Sequence, residues 1–371
     1  MEPVPFIDLA AQQARLRDEI EAAMARVLDH GCYVMGPEVV ELEAALAKRS
    51  NRPHALSCAS GTDALVMALM ALGVAPGDHV VVPDFTFVAT AEAVRLVGAH
   101  PVFADIDPVS HNLDPDSVAL AWNDGPEPIG VIAVDLFGHP ARHAELSAVV
   151  HERDAWMIVD GAQSFGATRA GRSTLASGVI ATTSFFPAKP LGAYGDGGAV
   201  FTDDEALAET MASIRVHGAG PSPYSYDRLG LTGRLDTIQA AILLAKLQVF
   251  DDEVERRVAV AARYAEGLSD VVKPPACDGD TVPVWALYTI EVEDRLDVRA
   301  KLDADGVPTG VYYPHPLHTQ GPYRDQPVVP GGTPATDYSC ERVLSLPMHP
   351  YLDHGTQDRV IDSVRRAVGG S

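Results

Sequence analysis

Lysine is nearly absent from this chain. Among 371 residues it occurs at Lys48, Lys189, Lys246, Lys273 and Lys301, and the formal net charge is −23. A protein that grips nucleic acid needs a positive face to displace counterions, so no nucleic-acid partner is expected. The same acidity repels anions at long range, and any bound phosphate must be held by local donors. The four cysteines, Cys32, Cys58, Cys277 and Cys340, lack the close repeated spacings of a metal site or a disulfide framework. Buried free thiols, a reducing cytoplasm and no bound metal are the expectation. No window approaches the ~20 apolar residues of a membrane span, so no membrane partner is expected. Residues 1–20 hold no basic stretch leading into an apolar core, so no secretory signal is expected. Neither GxxxxGK[ST] nor a GxGxxG following a strand occurs, which excludes a nucleoside-triphosphate loop and a dinucleotide fingerprint.

What is present is an alternation. Apolar runs at 54–58, 79–83, 101–104, 128–136, 155–160, 180–186 and 198–202 read as buried strands. Helical patterns at 62–72, 88–97, 141–152 and 205–216 separate most of them. This is the pattern of an α/β fold with a mainly parallel seven-stranded sheet between helices. Helices follow at 235–250 and 251–268, and then the texture changes to a proline-rich stretch, a strand at 282–292 and a helix at 298–305. The predicted division is a large α/β domain over 1–245 and a smaller α+β lobe over 246–371. Residues 218–226 and 319–336, rich in glycine, proline and serine, are the expected mobile loops.

Ligands of such sheets lie beyond the carboxyl ends of the strands. Four segments stand there. In SCASGTDAL (57–65) a strand runs into Ser-Gly-Thr and a helix begins; Gly61 and Thr62 form a phosphate cup, or the serine or threonine is an ordinary N-cap. In VVPDFTFVAT (81–90), Phe85 and Phe87 are core aromatics or platforms for a planar ring. In WMIVDGAQSFG (156–166), Asp160 ends a buried strand, where a carboxylate needs a partner: a helix cap, or a protonated ring nitrogen, with Gln163 near the same ligand. In TSFFPAKPLGAYGDGGA (183–199), Lys189 sits among prolines, aromatics and glycines, with Ser184 upstream as a phosphate donor. A desolvated lysine has the lowered pKa that a nucleophilic amine requires. Each segment alone has a structural explanation. Together they supply phosphate donors, a stacking face, an anion and an amine, the set that holds and tunes a pyridoxal ring.

SGTDAL, FTFVATAEA, DGAQSFGA, SFFPAKPLGAYGDGGAV, GRLDTIQAA and LPMHP resemble the signature blocks of the DegT/DnrJ/EryC1/StrS sugar aminotransferases, nearly end to end. That resemblance implies a fold-type I transferase dependent on pyridoxal 5′-phosphate. It implies that Lys189 carries the cofactor and moves protons, and that Asp160 pairs with the pyridine nitrogen. Phe87 would stack on the ring, Gln163 would lie by its phenolic oxygen, and Gly61, Thr62 and Ser184 would hold the phosphate. Where the family has GxNxR, residues 230–234 read GLTGR, placing Thr232 where an asparagine reaches the phosphate across a homodimer interface. Tyr312, Tyr313, His315 and His318 resemble a sugar-contacting segment, and Arg215, Arg228 and Arg234 are candidate anion forks. Lysine at 189, where the dehydratase branch has histidine, implies aminotransfer from an amino acid, best read as L-glutamate, to a nucleotide-linked keto sugar. The nearest likeness is to the O-antigen enzymes acting on UDP-2-acetamido-2-deoxy-3-oxo-D-glucuronate. The alternatives are a dTDP- or GDP-linked 3- or 4-keto-deoxysugar, or a cofactor-binding regulator without turnover.

Overall fold

In the computed structural model, residues 4–123, 125, 127–276 and 279–369 are described. The seven apolar runs become seven strands of one sheet: β1 His54–Cys58, β2 His79–Pro83, β3 His100–Ala104, β4 Gly130–Val134, β5 Trp156–Asp160, β6 Ile180–Ser184 and β7 Gly198–Thr202. Their spatial order is β1-β7-β6-β5-β4-β2-β3. All run parallel except β7, which is antiparallel to both β1 and β6. Six strands therefore end at one edge of the sheet.

Successive side chains of a strand point to opposite faces, and here both faces are covered. Val81, Val131, Val159 and Ala181 join one core, with Leu42, Leu46 and Leu243 of covering helices. Val80, Val82, Ile132 and Ile158 join the other, with Leu65, Leu69 and Val94. The N-terminal helices Leu9–Arg15, Arg17–His30 and Pro37–Ser50 were not anticipated from the sequence. The second and third dock on the helix Thr237–Leu247, with Leu16 and Ile20 against Ile242 and Ala245.

A separate core lies around the antiparallel pair Tyr288–Glu291 and Val343–Leu346, packed by Val260, Tyr264, Val298, Leu302, Val360 and Val364. The strand expected over 282–292 is interrupted. Trp285 adopts a positive φ, and the amides of Val284 and Leu287 donate to Gly138 and Phe137 instead of to a neighbouring strand. The 319–336 stretch, expected to be mobile, is packed along β3: Phe103 N–H donates to Pro327 O, Val329 N–H donates to Phe103 O, and Tyr323 and Val329 are buried. It shields the sheet edge, which otherwise exposes unpaired backbone groups. Of the cysteines, Cys58 and Cys340 are buried free thiols, but Cys32 is exposed, in the turn after a helix ended by Gly31; Cys277 lies outside the described residues. Among the described residues no helix is long and apolar enough to cross a membrane, and no cluster of potential metal ligands occurs.

Candidate active site

The helix Gly61–Ala71 begins three residues after β1 ends. Ser60 is its N-cap: the Ser60 hydroxyl accepts the Asp63 N–H at 3.0 Å. The amides of Gly61 and Thr62 have no acceptor within the helix and sit at its positive end. Gly61 must be glycine, because a Cβ there would lie 2.8 Å from Cβ of Ser184, the last residue of β6. Two chain segments about 120 residues apart thus meet where the sequence placed the phosphate donors.

Asp160, at the end of β5, is buried. Its Oδ2 accepts from Thr90 Oγ1 at 3.1 Å and its Oδ1 from the Ala162 N–H at 3.1 Å. Burial pushes its pKa up; the Ala162 amide, the positive charge of Lys189 and the Thr90 hydroxyl hold it down without cancelling that effect. Lys189 is half-buried in the connection between β6 and β7, its backbone turned by a bond from its own N–H to Phe186 O at 2.8 Å. Burial lowers its pKa, and Asp160 pulls it partly back. The carboxylate and the amine share one local field.

Gln163 is buried, and its Oε1 accepts the Phe137 N–H at 2.7 Å. Its side chain also hydrogen-bonds the hydroxyl of Tyr313, whose pKa burial raises and this bond lowers. Tyr313 feels the charge of Asp160 and lies 6.3 Å, centroid to centroid, from the ring of Phe87. Phe87 is 53 % exposed whereas Phe85 is buried against Phe137 and Tyr313, so the exposed ring is the one free to stack. The structure therefore gathers Lys189, Asp160, Gln163, Tyr313 and Phe87.

Other candidates fall elsewhere. Arg215 is buried in a structural pair: Nη1 donates to Glu43 Oε1 at 2.5 Å and to Ser57 O at 2.8 Å, closing the end of β1. The expectation that it binds substrate is corrected, since its charge is already used inside the fold. His318 is tied through Nδ1 to the fully buried Asp84 at 2.6 Å, with Thr333 Oγ1 donating to the same carboxylate oxygen. His315 and Arg228 are exposed, Arg234 is half-buried, and Tyr312 packs toward Phe6 and Tyr313. Thr232 is exposed, with Oγ1 3.0 Å from His217 Nε2.

Two residues were overlooked. Thr90 completes the block FTFVAT by binding Asp160. Asp135 follows β4 as Asp160 ends β5, and the likeness of VIAVDLFG to WMIVDGAQ was the available signal.

Among known proteins, the profile of the DegT/DnrJ/EryC1/StrS aminotransferase family matches residues 14–365. The chain is 46 % identical over 351 residues to a UDP-2-acetamido-2-deoxy-3-oxo-D-glucuronate aminotransferase of Pseudomonas aeruginosa, covering 94 % of this chain and 96 % of that one. It is 40 % identical over 364 residues to a dTDP-3-amino-3,4,6-trideoxy-alpha-D-glucose transaminase of Streptomyces venezuelae, covering 98 % and 95 %. A solved structure of NtdA from Bacillus subtilis with bound PMP, the amine form of pyridoxal phosphate, superposes with a TM-score of 0.92 at 28 % identity, covering 100 % of this chain and 86 % of that one. The fold, the site at its sheet edge and these likenesses agree: the chain belongs to the DegT/DnrJ/EryC1/StrS aminotransferase family, whose cofactor is pyridoxal 5′-phosphate.

Proposed function

We propose that this enzyme transfers an amino group from L-glutamate to a nucleotide-linked 3-keto sugar, with UDP-2-acetamido-2-deoxy-3-oxo-D-glucuronate the best candidate. It would do so in the cytoplasm, in the synthesis of a cell-surface polysaccharide such as O-antigen. The observation that carries the reading is the pairing of Lys189 with Asp160 in one partly desolvated site, beside the Gly61–Ser184 contact.

The residues fit the cofactor. Burial pushes the Asp160 pKa up more than Lys189 and its hydrogen-bond donors hold it down, so the carboxylate can take a further cation, and a protonated ring nitrogen would be one. Gly61 lets the helix N-terminus, suited to a phosphate, lie directly against Ser184, where a Cβ would clash. When bound, pyridoxal phosphate supplies an electron sink for a carbanion next to the transferred nitrogen. Asp160 holds the ring nitrogen protonated, oriented by Thr90 and the Ala162 amide. Lys189, with a pKa below that of a free lysine, would anchor the cofactor and act as the base and acid that removes and returns the proton on the substrate carbon bearing the transferred nitrogen. Phe87 covers one ring face, Gln163 donates its amide toward the phenolic oxygen, and Gly61, Thr62 and Ser184 hold the phosphate. Tyr313, with Tyr312, His315 and Arg234, faces the sugar nucleotide.

We also place the active sites at a homodimer interface, with Thr232 contributing to the partner's phosphate site. The exposed apolar residues Tyr33, Val34, Phe186 and Leu229 support this reading. The boundary between the two lobes is put near residue 246.

The test is a glutamate half-reaction on the loaded enzyme. Loss of the cofactor's visible absorbance with formation of 2-oxoglutarate is expected, and no conversion would sink the aminotransferase reading. A panel of UDP-, dTDP- and GDP-keto sugars, with product mass and proton spectra, then fixes the acceptor.

A further inference from the structure

Asp135 stands one strand away from Asp160 and is fully buried. Its Oδ1 accepts the Ala141 N–H at 2.7 Å and His143 Nε2 lies 2.8 Å from it. Its Oδ2 accepts the Ser164 hydroxyl at 2.8 Å and the Thr174 hydroxyl. Burial alone would raise the pKa of such a group, but His143 and the hydroxyl and amide donors reverse the sign and hold it below the usual carboxylate range. It is a settled anion inside the protein.

What this anion holds matters. The Asp135 N–H donates to Asp160 O at 3.0 Å, and its side chain holds Ser164. Residues 160–164, the turn DGAQS, are thus fastened at both ends by one residue. That turn carries both Asp160 and Gln163. Gln163 is fastened a second time through the Phe137 N–H, and the next residue back, Leu136, donates its own N–H to Asn112 Oδ1 at 2.8 Å. The negative charge of Asp135 also reaches Asp160, where it works in the raising direction.

We propose that Asp135 is a positioning residue for this enzyme: it clamps the 160–164 turn from behind and adds its negative potential to that of Asp160 at the ring nitrogen. A supporting shell of this kind decides whether a catalytic group sits in productive geometry, and displacements of about 1 Å can cost orders of magnitude in rate. The inference rests on the reading of Asp160 as the ring-nitrogen partner.

Two variants separate the mechanical part from the electrostatic part. Ser164→Ala keeps the charge of Asp135 but releases one end of the turn. Asp135→Asn keeps the shape and removes the charge. Hydrogen exchange of the apo-protein at 160–164 should be about tenfold faster in both, the effect of one lost bond to a charged group, with β2 and β3 unchanged. In the protein loaded with pyridoxal phosphate, the pH midpoint of the visible absorbance should fall in Asp135→Asn, because removing a negative charge disfavours a nearby cation. It should stay in place in Ser164→Ala. The turnover number should drop about tenfold in Asp135→Asn with the glutamate KM little changed. Wild-type exchange in the turn, or an unmoved midpoint in folded Asp135→Asn, would overturn the proposal. Should Asp135→Asn fail to fold, the exchange of the 160–164 turn in Ser164→Ala decides alone. If the wild type takes up no cofactor, the functional reading fails, while the apo-protein exchange still judges the clamp.

Discussion

Lys189 and Lys246 are both sheltered from water, and burial lowers the pKa of both. Lys246, on the helix Thr237–Leu247, is the more deeply buried at 1 % exposure, and its pKa is brought down to about 8. By depth of burial alone it would be as good a candidate for an activated amine. Its surroundings say otherwise. Its ammonium donates to Gly192 O at 2.6 Å and stands 4.2 Å from the centre of the Tyr194 ring, with Glu253 supplying an opposing charge. Lys189 lies at a strand edge with Asp160, beside Gln163, Tyr313 and an exposed aromatic ring. A lowered pKa marks a buried lysine; the company it keeps marks a reactive one.

The largest test removes the distinction. Lys189→Ala should bind the cofactor without a covalent link, leave nothing for borohydride to trap, and lose at least about 10³-fold in turnover, as expected when the group that relays the proton is gone. Mapping of the reduced adduct to Lys246 in the wild-type protein would reverse the assignment.

Asp160→Asn comes next. A charge pair at ~4 Å with an effective dielectric of ~20 is worth up to about 4 kcal/mol, so turnover should fall by about 10²–10³-fold. In the apo-protein the same change should raise stability. A carboxyl with a folded pKa above its unfolded value contributes stability below the unfolded pKa and loses it as pH rises through the folded one, so at pH 7 Asp160 is a liability. An apo variant that melts a few degrees above the apo wild type, and turns over far less, would show both halves of this argument in one protein.

Much of this was legible in sequence, and the exceptions have physical reasons. Strand ends were readable because a buried parallel strand is apolar throughout, and the residue that stops it is the one facing the ligand edge. Asp160 and Ser184 were placed at strand ends that way, and Phe87 and Lys189 in the segments just beyond them. Arg215 was misread because a guanidinium consumed by Glu43 and one awaiting a substrate look alike until the fold closes. The partner that orients His318, Asp84, was hidden for the same reason, lying 234 residues earlier in the chain. The 319–336 segment looked loose because glycine and proline count against regular structure, although Phe103 supplies backbone partners from far away.

Lys246→Met tests the other side of the comparison. Replacing a buried charge by an apolar chain of similar volume is often neutral or stabilising, so turnover per folded molecule should change by less than about threefold. The pH dependence is more telling. The folded pKa of about 8 lies below the ordinary lysine value, so the unfolded chain binds more protons between about pH 8 and 10. Wild-type stability therefore gains a contribution from Lys246 as pH rises through that window, and Lys246→Met should lose that part of the slope. Urea midpoints at pH 7 and pH 9 measure it. A large loss of turnover with an unchanged slope would mean that Lys246 belongs to the chemistry after all.

The smallest effect distinguishes the polar neighbours of the two lysines. Thr90→Val keeps the side-chain volume but removes the hydroxyl that donates to Asp160 Oδ2. One of the two bonds orienting the carboxylate is lost, and its pKa moves further up because a donor to the charged form has gone. A single bond of this kind is worth about 1 kcal/mol, so kcat/KM should fall about fivefold. The matched change near Lys246 is Gln239→Met, which deletes the Oε1 acceptor of the Tyr194 N–H, a bond of 2.8 Å. It should cost a similar free energy, read as a lower urea midpoint, with kcat/KM unaltered. Equal energies spent on different observables are what the comparison requires, because on the proposed function the Thr90 bond supports a group whose charge is used in the reaction and the Gln239 bond supports only the fold. If both variants lowered the urea midpoint alike and neither touched kcat/KM, Asp160 would be as structural as Lys246.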